Sequence, residues 1–249
     1  MDCLEGMKLI DDKSIDMILC DLPYGTTRCK WDTIIPLDIL WQEYNRIIKD
    51  NGAIVLFAQS PFNITLGSSN LQMLRYEWIW EKPHATGHLN SKKMPMKAHE
   101  NILVFYKKAP TYNPQKTFGH KPVNSYTKTI KTQNNTELYG YMSKELTGGG
   151  NTDRYPRSVL KFSSDTQKVK LHPTQKPIAL LEYLIKTYTN EGELVLDNCI
   201  GSGTTAVACI NTNRNYIGMD NGKCENKNNE NFGKSWIEIS EERINKIKD

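Results

Sequence analysis

The first apolar run of the chain, Ile15-Asp16-Met17-Ile18-Leu19-Cys20, stops abruptly at Asp21, and Pro23 and Gly25 follow at once. A short run ending in turn residues reads as a buried parallel strand that feeds a loop. From Pro36 to Lys49 the apolar residues Leu37, Leu40, Trp41, Tyr44, Ile47 and Ile48 recur at helical spacing, and Gly52 follows as a stop. That spacing predicts an amphipathic helix. Ala53 to Ala58 is a second apolar strand, after which Ser60-Pro61 supplies an N-cap and a first-turn proline for another helix.

Tyr76 to Trp80 and Ile102 to Tyr106 are two further strand candidates, separated by a polar stretch from Lys82 to Glu100. The pattern resumes with a helix from about Pro177 to Tyr188, a strand at Leu194-Val195-Leu196, a Gly-rich turn, a helix from Thr204 and a strand from Tyr216 to Met219. The alternation of strand and helix predicts an α/β fold: one doubly wound, mostly parallel, Rossmann-like sheet covered on both faces. Residues 1–109 and 172–249 are expected to be two halves of that sheet, and 110–171, polar and rich in Thr, Asn, Lys and Tyr, an inserted loop-rich lobe. The Asn-rich run from Asn221 to Asn231 reads as a solvated loop.

Composition narrows this only slightly. With 249 residues there is material for one sizeable core, and a net charge of +4 permits a polyanionic partner without requiring one. No stretch has the apolar length of a membrane helix and Met1-Asp2-Cys3-Leu4-Glu5 is not a secretory signal, so a cytoplasmic protein is expected. The six cysteines have no C-x-x-C pair or companion histidine spacing; they read as reduced thiols, and no metal site is expected.

The segment from Leu194 to Ala206 is a strand, a tight turn containing Gly201, Ser202 and Gly203, and a helix N-terminus at Thr204. Gly201-x-Gly203-x-x-Ala206, with Asp220 some twenty residues on, also fits a dinucleotide fingerprint, which keeps a nicotinamide-dependent oxidoreductase open. Asp197 at the strand's end favours another ligand. A carboxylate there opposes a pyrophosphate, whereas S-adenosylmethionine carries an ammonium and a sulfonium that favour a nearby negative charge. The helix N-terminus can receive its methionyl carboxylate, and Asp220 is placed for ribose hydroxyls.

The loop Asp21-Leu22-Pro23-Tyr24 suits methylation of an exocyclic base amine, whose lone pair is delocalised into the ring. Two acceptors on the amino hydrogens, the Asp21 carboxylate and the Leu22 carbonyl, would direct that lone pair at an incoming methyl group. Pro23 stiffens the loop, and Tyr24 offers a flat face to a base rotated out of a duplex.

Asp21-Leu22-Pro23-Tyr24, then His172-Pro173-Thr174-Gln175-Lys176-Pro177, then Asp197 to Thr205 follow one another in an order that resembles the β group of amino-DNA methyltransferases. The resemblance spans almost the whole chain and is weakest in the middle lobe. It implies an S-adenosylmethionine-dependent methyltransferase fold in which Asp21 and Tyr24 bind the target amine. It places Thr174 and Lys176 at the cofactor, with Asp21 beside it, and lets Asp197, Gly201, Ser202 and Gly203 carry it. The inserted lobe would recognise the target. Three departures stand out. Leu22 replaces the family's first proline and loosens the loop; Cys199 replaces a phenylalanine beside the cofactor; and the chain starts where relatives have another strand, so an N-terminal edge strand is expected to be missing. Asp2 is then read as a frayed terminus in preference to an adenine contact.

Between Lys82 and Lys131 there are ten lysines and four histidines against one acidic residue, Glu100, with Tyr106, Tyr112, Phe118 and Tyr126 interleaved. Such a mixture suits phosphate contact and stacking. Lys92, Lys93 and Lys97 are the phosphate candidates, with double-stranded DNA as partner. The expected activity is methylation of adenine N6, because relatives acting on cytosine N4 more often carry serine at the head of the catalytic loop. Cytosine N4 methylation and a non-catalytic DNA-binding protein are the alternatives. A homodimer and a cognate restriction endonuclease are open as further partners.

Overall fold

Period-two alternation within the two central strands decides the layering. The computed structural model describes residues 1–27, 29, 32–122, 126–129, 145–163, 175–225 and 229–248. Strand β1 (Ile15–Asp21) pairs in parallel with β2 (Ile48–Ala58), Ile18 opposite Ile54 and Cys20 opposite Leu56. Ile18, Cys20, Ile54 and Leu56 point to one face, against Leu40, Trp41 and Tyr44 of helix α2 (Leu37–Ile47) and Phe62 and Leu66 of α3 (Phe62–Ser69). Met17, Leu19, Val55 and Phe57 point to the other face, against Leu180, Leu184 and Ile185 of α4 (Ile178–Tyr188) and Ala208 and Cys209 of α5 (Thr204–Asn211). Both faces are dry, which is why the strands read as unbroken apolar runs.

The sheet contains five more strands: β3 (Leu74–Thr86), β4 (Lys97–Phe105), β7 (Val159–Lys161), β8 (Leu194–Asp197) and β9 (Asn215–Gly218). Their order is β7-β3-β4-β2-β1-β8-β9. Among the described residues the only antiparallel pairings of this sheet are those of β4 with β2 and β3, so six strands run one way and β4 the other. The expected mostly parallel, doubly wound sheet is the one observed.

The helix after β1 packs on one face and that after β8 on the other. A crevice therefore opens between the C-terminal ends of these neighbouring strands, the place where such sheets bind ligands. Helix α6 (Trp236–Lys248) was not legible in the pattern, because Ser240 and Arg243 share its inward side with Trp236, Ile239 and Ile244. Strand β7 lies in a stretch whose polar composition concealed it.

Two expectations need correction. Asp2 is not frayed: its carboxylate caps helix α1 (Cys3–Met7), accepting the Leu4 N–H at 2.9 Å. In the Asn-rich run, Cys224 is buried against Trp236 and Ile239, and Asn231 is buried too, so the run is not wholly solvated. The chain divides into two compact units, one of residues 1–113 and 158–249 and one of residues 114–157. The latter holds an antiparallel ribbon of β5 (Tyr126–Thr129) and β6 (Glu145–Gly148), a bridge between Thr117 and Arg154, and an ion pair of Lys116 with Asp153 at 2.8 Å.

One buried hydrogen bond ties α2 to the Gly-rich turn: the Tyr44 hydroxyl donates to Asn198 Oδ1 at 2.6 Å. Tyr44→Phe keeps the ring and strands that acceptor, so it should lower unfolding free energy by about 1 to 3 kcal/mol. Urea denaturation checks this, and unchanged stability would show that the bond contributes nothing net.

Candidate active site

The Asp21 loop leaves β1 and the Gly-rich turn leaves β8, and both line one cleft of about 830 Å³ with Asp2, Trp80, Lys82 and Glu100. Asp21 stands at its centre. Its Oδ1 accepts the Tyr24 hydroxyl at 2.7 Å, and its Oδ2 accepts the Lys176 ammonium at 2.5 Å. A carboxylate has about four lone-pair directions, so two remain for a further donor. Burial pushes the Asp21 carboxyl above the ordinary carboxylate range; Lys176 and Tyr24 pull it down while Glu100 pushes it up.

Leu22 is buried among the side chains under α2, and this apolar anchor takes over the stiffening that a proline would provide. Pro23 lines the cleft. The Tyr24 ring stacks on Phe62 with centroids 5.4 Å apart, which fixes its plane and occupies one of its faces. The loop beyond is closed by Asp32, whose carboxylate accepts the N–H groups of Gly25, Thr26 and Thr27. Burial pushes the Asp32 carboxyl up, but these donors outweigh it and hold it below its ordinary value.

Lys176 is buried, with 7% of its side chain exposed. Besides Asp21 it faces Glu100 Oε2 at 3.2 Å, and Glu100 in turn pairs through Oε1 with Lys82 at 2.7 Å. Burial lowers the affinity of Lys176 for its proton, yet the two carboxylates outweigh it and the ammonium is held charged. Glu100 and Lys82 escaped the sequence reading. They sit on β4 and β3 and meet only because Trp80 is registered opposite Glu100.

The Gly-rich turn is braced by the two carboxylates expected to hold a cofactor. Asp197 accepts the Cys199 N–H at 3.0 Å and the Thr205 hydroxyl; Asp220 accepts the N–H groups of Gly201 at 3.0 Å and Gly222 at 2.7 Å. Both line the cleft with Cys199, Ser202 and Thr204. Gly201 has φ of +51°, and a Cβ there would meet nothing within 4 Å, so the turn is open toward a ligand. Gly203 has φ of +79°, and a Cβ there would strike Ser240 Oγ at 2.1 Å; this glycine serves the packing of α6. Arg243 of that helix donates to the Ser202 carbonyl and the Thr204 hydroxyl. The Cys199 thiol is hydrogen bonded with the free thiols of Cys3 and Cys20, and burial pushes Cys20 up to about 12, so this cluster carries no thiolate.

Thr174 lies outside the described residues. Lys92 and Lys93 are exposed in the turn between β3 and β4; of the strand leading into that turn, Lys82, His84 and Thr86 line the cleft. Lys97 differs: its ammonium is drawn back to Gln59 Oε1 at 3.2 Å and the Ser60 carbonyl at 3.4 Å. Gln175 lines the cleft, and among the described residues its buried Oε1 has no hydrogen-bond partner. Among the described residues no helix is long and apolar enough to cross a membrane.

A family model described as DNA methylase, covering the N6 and N4 enzymes, matches residues 15–230. The type II methyltransferase M1.MboII of Moraxella bovis is 27% identical over 261 residues, covering 96% of each chain. The DNA adenine methyltransferase YhdJ of Escherichia coli (strain K12) is 27% identical over 239 residues, 88% of this chain and 76% of that one. A solved complex of M1.HpyAVI with SAM superposes with a TM-score of 0.61 at 22% identity, covering 98% of this chain and 96% of the other, a likeness of fold.

Burial raises the Asp197 carboxyl to about 6, the Thr205 hydroxyl and Cys199 N–H holding it back from a further rise. In the unfolded chain it titrates near 4, so the folded state binds the proton more tightly. The stability contributed by this proton is full below about pH 4 and is lost as pH rises to about 6, on the order of 3 kcal/mol. Asp197→Asn should remove that component of the stability-against-pH curve between those values. A curve of unchanged slope from calorimetry at several pH values would contradict the assignment.

Proposed function

Because the chain belongs to the N6/N4 DNA methylase family, we propose that it methylates the N6 amine of adenine in double-stranded DNA with S-adenosylmethionine as cofactor. The observation that carries this reading is the shared cleft, in which the Asp21 carboxylate and the open side of the Gly201 turn face one space.

The residues present fit that cofactor. Gly201 leaves room against the turn, Asp197 and Asp220 give the turn a negative field suited to a ligand bearing ammonium and sulfonium groups, and the N-terminus of α5 at Thr204 suits a carboxylate. Cys199 and Ser202 complete the wall, Gly203 lying behind it against α6, and Lys176 limits it on the side of Asp21. When bound, S-adenosylmethionine supplies an electrophilic methyl group on its sulfonium. The same carboxylates oppose a pyrophosphate, which counts against an oxidoreductase.

Asp21 and the Leu22 carbonyl accept the two amine hydrogens and direct the nitrogen lone pair away from the base ring. Tyr24 keeps the carboxylate oriented through its hydroxyl and limits the site with its ring. The amine loses one proton as it gains a carbon, and Asp21 is the acceptor in hydrogen-bond reach. A pocket recessed at the end of the sheet requires the base to leave the duplex. The preference for adenine over cytosine rests on the Asp at the head of the loop. The unit of residues 114–157 is assigned to target recognition, and Lys92 and Lys93 to backbone phosphates.

Asp21→Ala should reduce methyl transfer to plasmid DNA by at least about a hundredfold while cofactor affinity, measured by calorimetry, is kept; retained turnover would show the loop assignment to be wrong. Mass spectrometry of nucleosides from DNA methylated by the wild type should find N6-methyladenine, and N4-methylcytosine would overturn the choice of base. Replacing Lys92 and Lys93 by alanine should weaken DNA binding alike on all sequences and flatten its salt dependence by about two ions. An unchanged salt slope would remove these lysines from the interface.

A further inference from the structure

Four buried or half-buried charges form a chain across the cleft floor: Asp21, Lys176, Glu100 and Lys82, two carboxylates alternating with two ammoniums. Lys82 and Glu100 keep only 12% and 10% of their side chains exposed. Neither has a part in the amine chemistry described above, and a buried ion pair placed only for stability is a poor bargain against two apolar side chains. Their geometry suggests what they do. Lys176 hydrogen bonds to Asp21, whereas with Glu100 Oε2 it makes an ion pair at 3.2 Å, and among the described residues this buried oxygen accepts no aligned hydrogen bond.

We propose that Lys82 and Glu100 are positioning residues: their ion pair holds the Lys176 ammonium between two carboxylates and thereby sets the charge and orientation of Asp21. Glu100 gives Lys176 a second seat. When the amine of the base takes up lone pairs of Asp21, the ammonium turns its N–H toward Glu100 Oε2 and stays in place. Lys82 offsets part of the Glu100 charge and so limits how far the second carboxylate drives protons onto Asp21. Without Lys82 the group would hold two carboxylates against one ammonium, and one proton would be taken up at higher pH. Without Glu100 the like charge near Asp21 would vanish, and Asp21 would ionise at lower pH. Among the described residues the other groups facing Asp21 are Tyr24 on its own loop, Cys20 on β1 and Asp197 on β8; neither substitution touches them.

The test follows the Asp21 carboxyl directly. In protein labelled with carboxyl-13C aspartate, without cofactor or DNA, its resonance is identified by loss in Asp21→Asn and titrated by NMR. Glu100→Gln should move the midpoint down by about one pH unit and Lys82→Met should move it up. The double variant, with one carboxylate and one ammonium, should return close to the wild type. The acidic limb of the rate of plasmid DNA methylation should shift in the same directions. A merely structural pair would give no such opposed shifts. Unmoved midpoints, shifts of one sign in both variants, or a double variant no nearer the wild type than the singles would overturn the proposal. Should a single variant fail to fold, the charge-balanced double variant decides: a wild-type midpoint supports the proposal and a displaced one overturns it. The proposal rests on the catalytic reading of Asp21, yet the titration does not. Variants that show the expected shifts, beside a wild type that never methylates DNA, would sink that reading alone.

Discussion

Everything in this molecule depends on the parallel pairing of β1 with β8, in which Met17 lies opposite Val195 and Ile18 opposite Leu196. The two strands are distant in sequence, and each ends in an aspartate followed by a turn. Pairing them side by side in the same direction brings Asp21 and Asp197 to the same end of the sheet. Helices leave from those ends to opposite faces, so nothing closes the space between the turns. The cleft is a consequence of winding direction before any side chain is chosen for chemistry.

That placement concentrates acids in a poorly solvated region, and the surrounding structure is arranged to tolerate it. Asp197 and Asp220 use their oxygens to satisfy turn N–H groups that would otherwise be buried donors. Asp32 does the same for the loop after Tyr24. Asp21 is matched by a side-chain charge, the Lys176 ammonium, in place of fixed backbone donors. The distinction fits the division of labour proposed for the site: carboxylates that hold a turn take backbone N–H groups, and the one proposed to meet substrate takes side-chain donors.

Much of this was legible in the chain. The central strands could be read because burial on both faces leaves no polar positions in Met17 to Cys20 or Ala53 to Ala58. The Asp21 loop and the Gly201 turn were visible because each compresses a strand end, a turn and chemistry-bearing residues into a few positions. Lys176 entered only through the resemblance of its segment to a known family, and the structure adds its contact with Asp21. What could not be read depends on register between distant segments. Glu100 and Lys82 meet through the antiparallel pairing of β3 with β4, and Ser240 makes Gly203 necessary from thirty-seven residues away. Lys97 looked like its neighbours Lys92 and Lys93, but the turn of chain at Gln59 and Ser60 engages its ammonium.

The central claim is that the turn at Gly201 and the carboxylate of Asp21 serve one reaction centre. A crystal structure of the protein with S-adenosylmethionine tests it most directly. The account predicts the sulfonium methyl directed toward Asp21, with a gap between them that one amine nitrogen fills at about 3 Å from either side. A cofactor seated elsewhere, or on the same turn with its methyl group pointing away from Asp21, would contradict it.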